Sequence, residues 1–225
     1  MTQAEAPVLI EVRNRVGYLT LNRPAGLNAV TLEMVRMLHR QLQQWADDQD
    51  VVAVMLRGAG EKAFCAGGDI RSLYDSYKSV DSLHREFFEE EYALDQYIHA
   101  YGKPLLALMN GFVLGGGMGL VQGASLRVIS ERTRMGMPEV GIGYFPDVGG
   151  SYFLSRLADN LGIYMGLTGK NVSSADALYA GLADYCVPYE QFAALEQALN
   201  RQDWSTPPVQ ALTNLLVSIG CIGRA

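Results

Sequence analysis

Alternating apolar and polar residues mark the first part of the chain as strands. Residues 8–12 and 16–21 alternate in this way, as strands with one buried face do. A Pro/Gly/Asn-rich loop follows at residues 22–30. Thr31 can then cap a helix that has Glu33 in its first turn. The sequence therefore opens with two strands, a loop and a helix.

Apolar residues then recur at steps of three and four, which indicates the buried face of that helix; they are Met34, Met37, Leu38, Leu42 and Trp45. The pattern beyond it predicts strands at 51–58, 104–109 and 126–129, an amphipathic helix at 81–100, a glycine-rich loop at 136–150, short helices to about residue 200 and one helix after Pro207-Pro208. This repeated alternation of strand and helix predicts an α/β fold.

Composition narrows the class of protein. The 225 residues are 49% apolar and 19% charged with a net charge of -6, which suits one globular domain. There is no basic stripe, so we expect no nucleic-acid partner. No segment approaches the roughly 18 apolar residues of a membrane span, and the first residues lack a secretory signal pattern. Three unpatterned cysteines argue against disulfides and zinc, so a cytoplasmic location is expected.

Two glycine clusters carry the first chemical signal. Gly67-Gly68 and Gly115-Gly116-Gly117 each lie where a strand gives way to a helix. Glycine lets a ligand approach the main chain, and amides at a helix start point outward with partial positive charge. Two such sites facing each other would make an oxyanion hole. Tight packing or a phosphate loop is the alternative for each cluster alone, although neither fits the P-loop or dinucleotide fingerprint.

Two carboxylates provide the second signal. Glu139 and Asp147 stand eight residues apart in an apolar, Gly/Pro-broken stretch. Burial of a carboxyl group is costly unless it is paired, and it raises the pKa toward a working acid–base value. A helix-capping role for Glu139 is equally compatible with the spacing.

Four ordered segments resemble successive motifs of the enoyl-CoA hydratase/isomerase (crotonase) superfamily: NRPAGLNAV, KAFCAGGDIR, ALMNGFVLGGGMGL and MPEVGIGYFPDVGG. Within it, GGDIR, FFEEEY and MPEVGIGYFPDVGGSYFLSRL are most similar to the 3-hydroxyisobutyryl-CoA hydrolase family, a thioesterase branch of valine degradation. The resemblance implies a ββα spiral core over residues 1–190, followed by a shortened C-terminal helical region at 191–225.

The resemblance also assigns catalytic roles residue by residue. Gly68 and Gly116 match the two oxyanion amides, Glu139 matches a catalytic glutamate, and Glu91 matches the hydrolase branch's substrate-binding glutamate. Hydratases keep a further glutamate where this chain has Gly119, and usually glycine where it has Asp147. These departures favour hydrolysis of a 3-hydroxyacyl-CoA, with Asp147 on the acyl hydroxyl or assisting proton movement.

Coenzyme A recognition follows from the same resemblance, which implies contacts with Leu27, Ala66 and Ile70. Arg23 or Lys62 could meet its phosphates, and simple turn chemistry is the alternative for this loop. Coenzyme A is expected as part of the substrate, with no cofactor required and no metal. The resemblance also implies a homotrimer or hexamer.

The remaining candidates have plainer interpretations. His39, His84 and His99 are isolated, so packing or surface roles are favoured over metal binding or catalysis. Cys65 has no histidine nearby in sequence and is interpreted as a small apolar filler. Without the resemblance, the run Glu89-Glu90-Glu91 would indicate a solvated helix face.

Three functions therefore stay open. The leading one is hydrolysis of an acyl-CoA thioester that carries a β-hydroxyl group. An enoyl-CoA hydratase or isomerase on the same scaffold is the second. The third is a shortened coenzyme A-binding protein with little turnover.

Overall fold

Two β-sheets meet in the computed structural model, which describes residues 6–223. The strands are β1 Val8–Arg13, β2 Val16–Leu21, β3 Ala53–Gly58, β4 Ala63–Cys65, β5 Leu105–Met109, β6 Phe112–Leu114, β7 Leu126–Ile129, β8 Arg134–Gly136, β9 Val172–Ser173, β10 Tyr185–Cys186 and β11 Ile222–Gly223. The larger sheet has the order β1-β2-β3-β5-β7-β10-β11, and the smaller has β4-β6-β8-β9.

The helices lie around these sheets. They are α1 Leu32–Asp47, α2 Ile70–Ser79, α3 Leu83–His99, α4 Gly116–Gln122, α5 Gly150–Leu154, α6 Leu161–Thr168, α7 Ser174–Ala180, α8 Phe192–Leu199 and α9 Pro208–Ser218. Short 3-10 turns occupy Pro24–Gly26, Glu139–Ile142, Ala158–Asn160 and Tyr189–Gln191. Within residues 6–223, no helix combines the length and the apolar character needed to cross a membrane.

The chain repeats one two-strand unit as it winds. Strands β3, β5 and β7 are parallel neighbours in the larger sheet. The strand that follows each of them, β4, β6 or β8, pairs in parallel in the smaller sheet. Each turn of the spiral therefore contributes one strand to each sheet. The predicted α/β class and ββα spiral core are confirmed.

Helix α1 forms as its sequence predicts. The Thr31 hydroxyl accepts a hydrogen bond from Met34 N at 3.3 Å, which satisfies one of the free amides of the first turn. The buried residues include Met34, Leu38 and Trp45, whereas Met37 is half-buried. The apolar face of α1 packs against α3 and covers one face of the larger sheet.

The opposite face of the larger sheet is covered by the last two helices. Leu195 and Leu199 of α8 and Leu212 and Leu216 of α9 share one buried cluster with Tyr18 and neighbouring strand residues. The helix predicted after Pro207-Pro208 is α9. The division of the chain at residue 190 stays a prediction.

Strands β4 and β6 were not predicted, and neither were the short strands β8 to β11. The first glycine cluster follows β4, not the strand that ends at Gly58, and the second follows β6. Strands β4 and β6 have three residues each, too few for an alternating pattern to stand out. These two strands position the candidate site.

Candidate active site

Neighbouring strands of the smaller sheet carry the two glycine loops. Strands β4 and β6 run parallel, with Cys65 opposite Val113. Gly68 and Gly116 each lie three residues beyond this pair. Because parallel strands end at the same edge of a sheet, the two loops emerge side by side.

Both candidate oxyanion amides are free of backbone and side-chain acceptors within residues 6–223. Gly68 lies beside Val30, yet the hydrogen bonds of that bridge use the carbonyl of Gly67 and the amide of Asp69. Gly116 is the first residue of α4, where amides have no partner within the helix. The loops touch: a β-carbon on Gly67 would lie 3.3 Å from Leu114 O. A side chain at Gly67 would therefore push the two glycine loops apart.

A cavity of about 520 Å³ opens beside these amides; we call it the acyl cavity. It is lined by most of the sequence-predicted site residues, namely Gly68, Gly116, Glu91, Glu139, Asp147, Ala66 and Ile70. Aromatic side chains form much of the remaining wall, including those of Phe87, Phe88 and Tyr144. Apolar walls with a few convergent polar groups are typical of small-molecule sites.

Glu139 reaches the acyl cavity from the short 3-10 turn that follows β8. The residue is buried, and its Oε2 has no hydrogen-bond partner in the described part of the protein. Its Oε1 lies 2.6 Å from where a β-carbon on Gly115 would stand. Burial, together with the nearby Asp147, raises the pKa of Glu139 to about 7. This carboxyl group is therefore poised to accept or donate a proton near neutral pH.

Glu91 enters the acyl cavity from α3, in a run whose other members face outward. Glu89 is exposed and Glu90 pairs with Arg36, but Glu91 is only 3% exposed. The interpretation of this run as a solvated face is therefore wrong for Glu91. A β-carbon on Gly116 would collide with Glu91 Oε1, so this carboxyl group lies directly over the oxyanion loop. Burial, then Asp147 and Glu139, raise the pKa of Glu91 to about 8.

Asp147 is held by a residue that the sequence did not single out as functional. The Tyr92 hydroxyl donates a hydrogen bond to Asp147 Oδ2 at 2.5 Å. Burial raises the pKa of Asp147, and the Tyr92 hydrogen bond opposes that shift. The turn after Asp147 is tight, because Val148 and Gly149 both have positive φ and Gly150 N donates to Asp147 O at 2.5 Å. This turn fixes the backbone at Asp147, and the Tyr92 hydrogen bond holds its side chain.

Asp95 is the second residue that the sequence did not reveal. It lies one turn beyond Glu91 on α3, and neither of its shielded oxygens has a protein partner within residues 6–223. A β-carbon on Gly119 would lie 2.5 Å from Asp95 Oδ2 and 2.7 Å from Val148 Cβ. Asp95 therefore occupies the space that a side chain at position 119 would need. A signal existed in the sequence: Glu91 and Asp95 fall on the apolar stripe of α3 with Phe87, Leu94 and Ile98.

The predicted coenzyme A contacts lie at the edge of the acyl cavity. Ala66 and Ile70 line it, and Ile70 is half-exposed. Leu27 does not line it but accepts a hydrogen bond from Ala66 N through its carbonyl at 3.0 Å. The buried Asn28 side chain donates to the carbonyls of Ala59 and Ala63, each at 2.9 Å. The loop that contains Leu27 and Asn28 is therefore hydrogen-bonded to the segment that contains Ala63 and Ala66, and the two lie together at the edge of the acyl cavity.

The two candidate phosphate-binding cations differ in their surroundings. Arg23 donates to Asp69 Oδ2 at 2.9 Å and to the carbonyl of Ala29. Asp69 in turn caps α2 by accepting from Ser72 N. Lys62 lies on the exposed surface. Arg23 thus braces the loop, and the phosphate contact stays a prediction for either residue.

The remaining candidates take structural positions. His39 packs against Tyr97, His84 accepts or donates a 3.0 Å hydrogen bond with Ser76, and His99 packs against Tyr152. His84 also contributes to the wall of the acyl cavity. Burial raises the pKa of the Cys65 thiol to about 12, so it is no ready nucleophile. In the described stretch 6–223, no three His, Cys, Asp or Glu side chains gather as a metal site would require.

Fold and site together define a member of the spiral ββα class with two backbone amides and three carboxyl groups around one cavity. The family model described as enoyl-CoA hydratase/isomerase matches residues 16–220. The chain belongs to the enoyl-CoA hydratase/isomerase family, which confirms the resemblance seen in its motifs.

Named relatives refine this placement. The chain is similar to the mitochondrial 3-hydroxyisobutyryl-CoA hydrolase of Danio rerio, with 44% identity over 96% of this chain and 56% of the relative. A carnitinyl-CoA dehydratase structure from Mycobacterium thermoresistibile has a TM-score of 0.88 and 40% identity, covering 95% of this chain and 61% of that one. An enoyl-CoA hydratase structure from Rhodobacter sphaeroides has a TM-score of 0.85 and 40% identity over 90% and 60%. The chain spans about half the length of the curated relatives it matches.

Proposed function

We propose that this protein hydrolyses a 3-hydroxyacyl-CoA thioester of the 3-hydroxyisobutyryl-CoA type. The observation that carries the proposal is the placement of Gly68 N and Gly116 N, two amides with no acceptor among residues 6–223, beside the carboxyl group of Glu139 in one cavity. Relatives named 3-hydroxyisobutyryl-CoA hydrolase support the choice of substrate. The proposed chemistry uses only groups of this chain, and coenzyme A enters as part of the substrate.

The amides would bind the thioester oxygen. As a nucleophile adds to the carbonyl carbon, negative charge develops on that oxygen, and donors aimed at it stabilise the transition state. Removal of one such donor typically costs about 10²–10³ in rate. Leu27, Ala66 and Ile70 would guide the pantetheine arm of coenzyme A to this position.

Glu139 would act at the carbonyl carbon. As a general base it would take a proton from water, whose oxygen bonds to the acyl carbon as the C–S bond breaks. As a nucleophile it would bond to the acyl carbon as the C–S bond breaks, giving a mixed anhydride that water then cleaves at the Glu139 carboxyl carbon. In either case a proton finally reaches the thiolate of coenzyme A.

Asp147 and Glu91 would hold the acyl 3-hydroxyl group from two sides. Both line the acyl cavity, and Asp147 is fixed by Tyr92. Burial keeps Glu91 protonated at neutral pH, since its pKa is about 8. A neutral Glu91 can donate a hydrogen bond to the oxygen of the acyl 3-hydroxyl group. Asp147 can then accept a hydrogen bond from the proton of that hydroxyl group.

Glu139→Gln tests the assignment directly. The variant should lose about 10²–10⁴ in thiol release from 3-hydroxyisobutyryl-CoA, the usual contribution of a general base. Its affinity for coenzyme A, measured by calorimetry, should stay unchanged. Near-normal turnover would refute the role of Glu139. A single turnover of the wild type in ¹⁸O-water separates the two mechanisms, because only the anhydride path puts label into the Glu139 carboxyl group.

A second function is favoured by the solved structures titled carnitinyl-CoA dehydratase and enoyl-CoA hydratase. Such chemistry would use Glu139 and Asp147 on a conjugated acyl group. The site argues against it, since a hydratase-like glutamate has no room at Gly119. Crotonyl-CoA decides: loss of its enoyl absorbance without thiol release would favour hydration. Coenzyme A binding without either reaction would favour a binding protein.

A further inference from the structure

The acyl cavity extends beyond the oxyanion loops along two helices. Six residues line this part, which we call the aromatic slot: Leu73, Tyr74 and Tyr77 of α2 and His84, Phe87 and Phe88 of α3. Glu91 lies over Gly116, and His84 precedes it by seven residues on α3. At about 1.5 Å per residue, the slot therefore reaches about 10 Å from the oxyanion loop along the axis of α3. A 3-hydroxyisobutyryl group ends at its third carbon and would leave most of this length unfilled.

The walls of the aromatic slot consist mainly of rings. Five of its six residues have an aromatic side chain, and Leu73 is the exception. Leu73 and Phe87 are buried and form the inner side, whereas Tyr77 is 68% exposed and lies on the outer side. Exposed apolar surface around a concave site is typical of a ligand-binding groove. Aromatic rings attract one another beyond the effect of buried area, in offset or edge-to-face pairs about 4.5–7 Å apart. The slot therefore suits a flat aromatic ring.

Contacts between α2 and α3 preform the far end of the slot. The hydroxyl group of the buried Ser76 accepts a hydrogen bond from His84 N at 3.0 Å, donates one to Asp81 and lies 3.0 Å from His84 Nδ1. The rings of Tyr77 and His84 meet edge to face, with 5.7 Å between their centroids. These contacts join the two helices where the slot ends. A preformed site loses less entropy on binding than one that must first be ordered.

The slot begins beside the groups that would hold the substrate. A β-carbon on Gly68 would lie 3.1 Å from the Phe87 ring, so the wall of the slot starts at the oxyanion loop. Phe87 and Phe88 precede Glu91 by four and three residues, which places all three on one face of α3. With the thioester oxygen at the two amides and the 3-hydroxyl group at Glu91, a substituent on the third carbon of the acyl group lies next to the slot.

We propose that this protein hydrolyses 3-hydroxyacyl-CoA thioesters whose third carbon carries an aromatic ring, and that the aromatic slot binds this ring. The inference rests on the proposed hydrolase function and names a further substrate class for the same site. Water gives its oxygen to the acyl carbon, the electron pair of the C–S bond leaves with sulfur, and the thiolate takes up a proton. The products are coenzyme A and a 3-aryl-3-hydroxy acid. Binding of the ring raises kcat/KM, because contacts remote from the reacting bond also stabilise the transition state.

Three substrates test the slot in the wild type. Thiol release gives kcat/KM for 3-hydroxybutyryl-CoA, 3-hydroxy-3-phenylpropionyl-CoA and 3-hydroxy-3-cyclohexylpropionyl-CoA, which carry a methyl group, a phenyl ring and a saturated ring on the third carbon. The phenyl substrate should exceed the methyl substrate at least about tenfold, because each buried methylene-sized group contributes about fourfold. It should exceed the cyclohexyl substrate about threefold, since pairing of aromatic rings adds to burial.

Two matched variants locate the ring. Tyr77→Glu puts a carboxylate on the outer side of the slot. Tyr164→Glu makes the same change on α6, at an exposed residue that is not among those lining the acyl cavity. The measurement is the ratio of kcat/KM for the phenyl substrate to kcat/KM for 3-hydroxyisobutyryl-CoA. This ratio should fall at least about tenfold in Tyr77→Glu, because a charge that loses water to an apolar ring is costly. It should equal the wild-type ratio in Tyr164→Glu.

The outcomes separate the slot from the hydrolase proposal. A wild type that hydrolyses 3-hydroxyisobutyryl-CoA, but the phenyl substrate no better than the methyl one, overturns the slot alone. A wild-type ratio in Tyr77→Glu overturns it as well, since Tyr77 would then affect all substrates alike, as a contact of the pantetheine arm would. A cyclohexyl substrate as good as the phenyl one overturns the choice of an aromatic ring. A wild type that releases thiol from none of these thioesters overturns both proposals.

Discussion

The hydroxyl group of Tyr92 donates a 2.5 Å hydrogen bond to Asp147 Oδ2, joining α3 to the turn that follows the Glu139 segment. The bond fixes a carboxyl group that no other side chain of residues 6–223 holds by a hydrogen bond. It also opposes the effect of burial on the pKa of Asp147. Geometry and protonation of Asp147 therefore both depend on one phenol.

Tyr92→Phe should lower kcat/KM for 3-hydroxyisobutyryl-CoA about tenfold, because hydrogen bonds to charged groups contribute about 1.5–3 kcal/mol. Tyr144→Phe is the matched control. Its hydroxyl lies 3.4 Å from that of Tyr92 and does not bond to Asp147, so a smaller loss is expected. Equal losses in the two variants would contradict the role given to the Tyr92–Asp147 bond.

The rate of hydrolysis should depend on pH through two buried carboxyl groups. Burial raises the pKa of Glu139 to about 7, and a base works only when deprotonated, so kcat/KM should rise with pH up to that value. Glu91, with a pKa of about 8, would lose its proton above that value, so the rate should fall again. The two values belong to an interacting pair. Glu91→Gln should remove the alkaline decline, and a decline that persists would exclude Glu91 as its source.

Substitution of the two oxyanion glycines should have unequal effects. Gly116→Ala keeps the amide N–H, but its new methyl group collides with the carboxyl group of the buried Glu91, so we expect the amide to be displaced and the loss to approach the factor of about 10²–10³ that follows removal of an oxyanion donor. In Gly68→Ala it meets the Phe87 ring at 3.1 Å, and a small shift of that ring can accommodate it. The loss should be smaller there. Gly141→Ala is the control, since no atom of the described part of the chain lies within 4 Å of its added carbon. An inactive Gly141→Ala would show that the assay reports general disruption.

Glu91→Gln should stabilise the fold at alkaline pH. The pKa of Glu91 is raised from 4.5 to about 8, so the folded state binds the proton more tightly and stability falls as pH rises between those values. The glutamine side chain of the variant does not ionise, so its folded state loses no stability in this way as pH rises. The upper bound of the difference above pH 8 is on the order of 5 kcal/mol, at about 1.4 kcal/mol per pKa unit. Urea unfolding at pH 5 and pH 9 measures it, and the same gain at both values would refute the linkage.

Within residues 6–223, the repeated pattern of apolar residues was sufficient to predict five of the seven strands of the larger sheet and its main helices. Residues 16–21 and 126–129 form strands with the predicted limits, since buried strands show as apolar runs. Strands β4 and β6 escaped prediction because three residues carry no period. Their pairing depends on contacts between segments about fifty residues apart, which local pattern does not encode.

The residues of the candidate site also fall into those that the sequence could single out and those that it could not. Gly68, Gly116 and Glu139 belong to motifs whose chemistry is local, so the sequence could single them out. Tyr92 and Asp95 lie outside these motifs. A carboxyl or phenol group on a helix gains a functional setting only through the side chains that pack against it. Glu91 and Asp95 on the apolar stripe of α3 were the available signal. The assigned roles, the trimer or hexamer and the cytoplasmic location stay predictions.

The equal offset of Gly68 and Gly116 from the paired residues Cys65 and Val113 has a consequence for how this scaffold can change its reaction. Hydrogen-bonded strands lie about 4.8 Å apart whatever their side chains. The side-by-side position of the two glycine loops therefore follows from the sheet that carries them. A new reaction on this framework would therefore come from exchanging the acidic side chains that surround the two backbone amides.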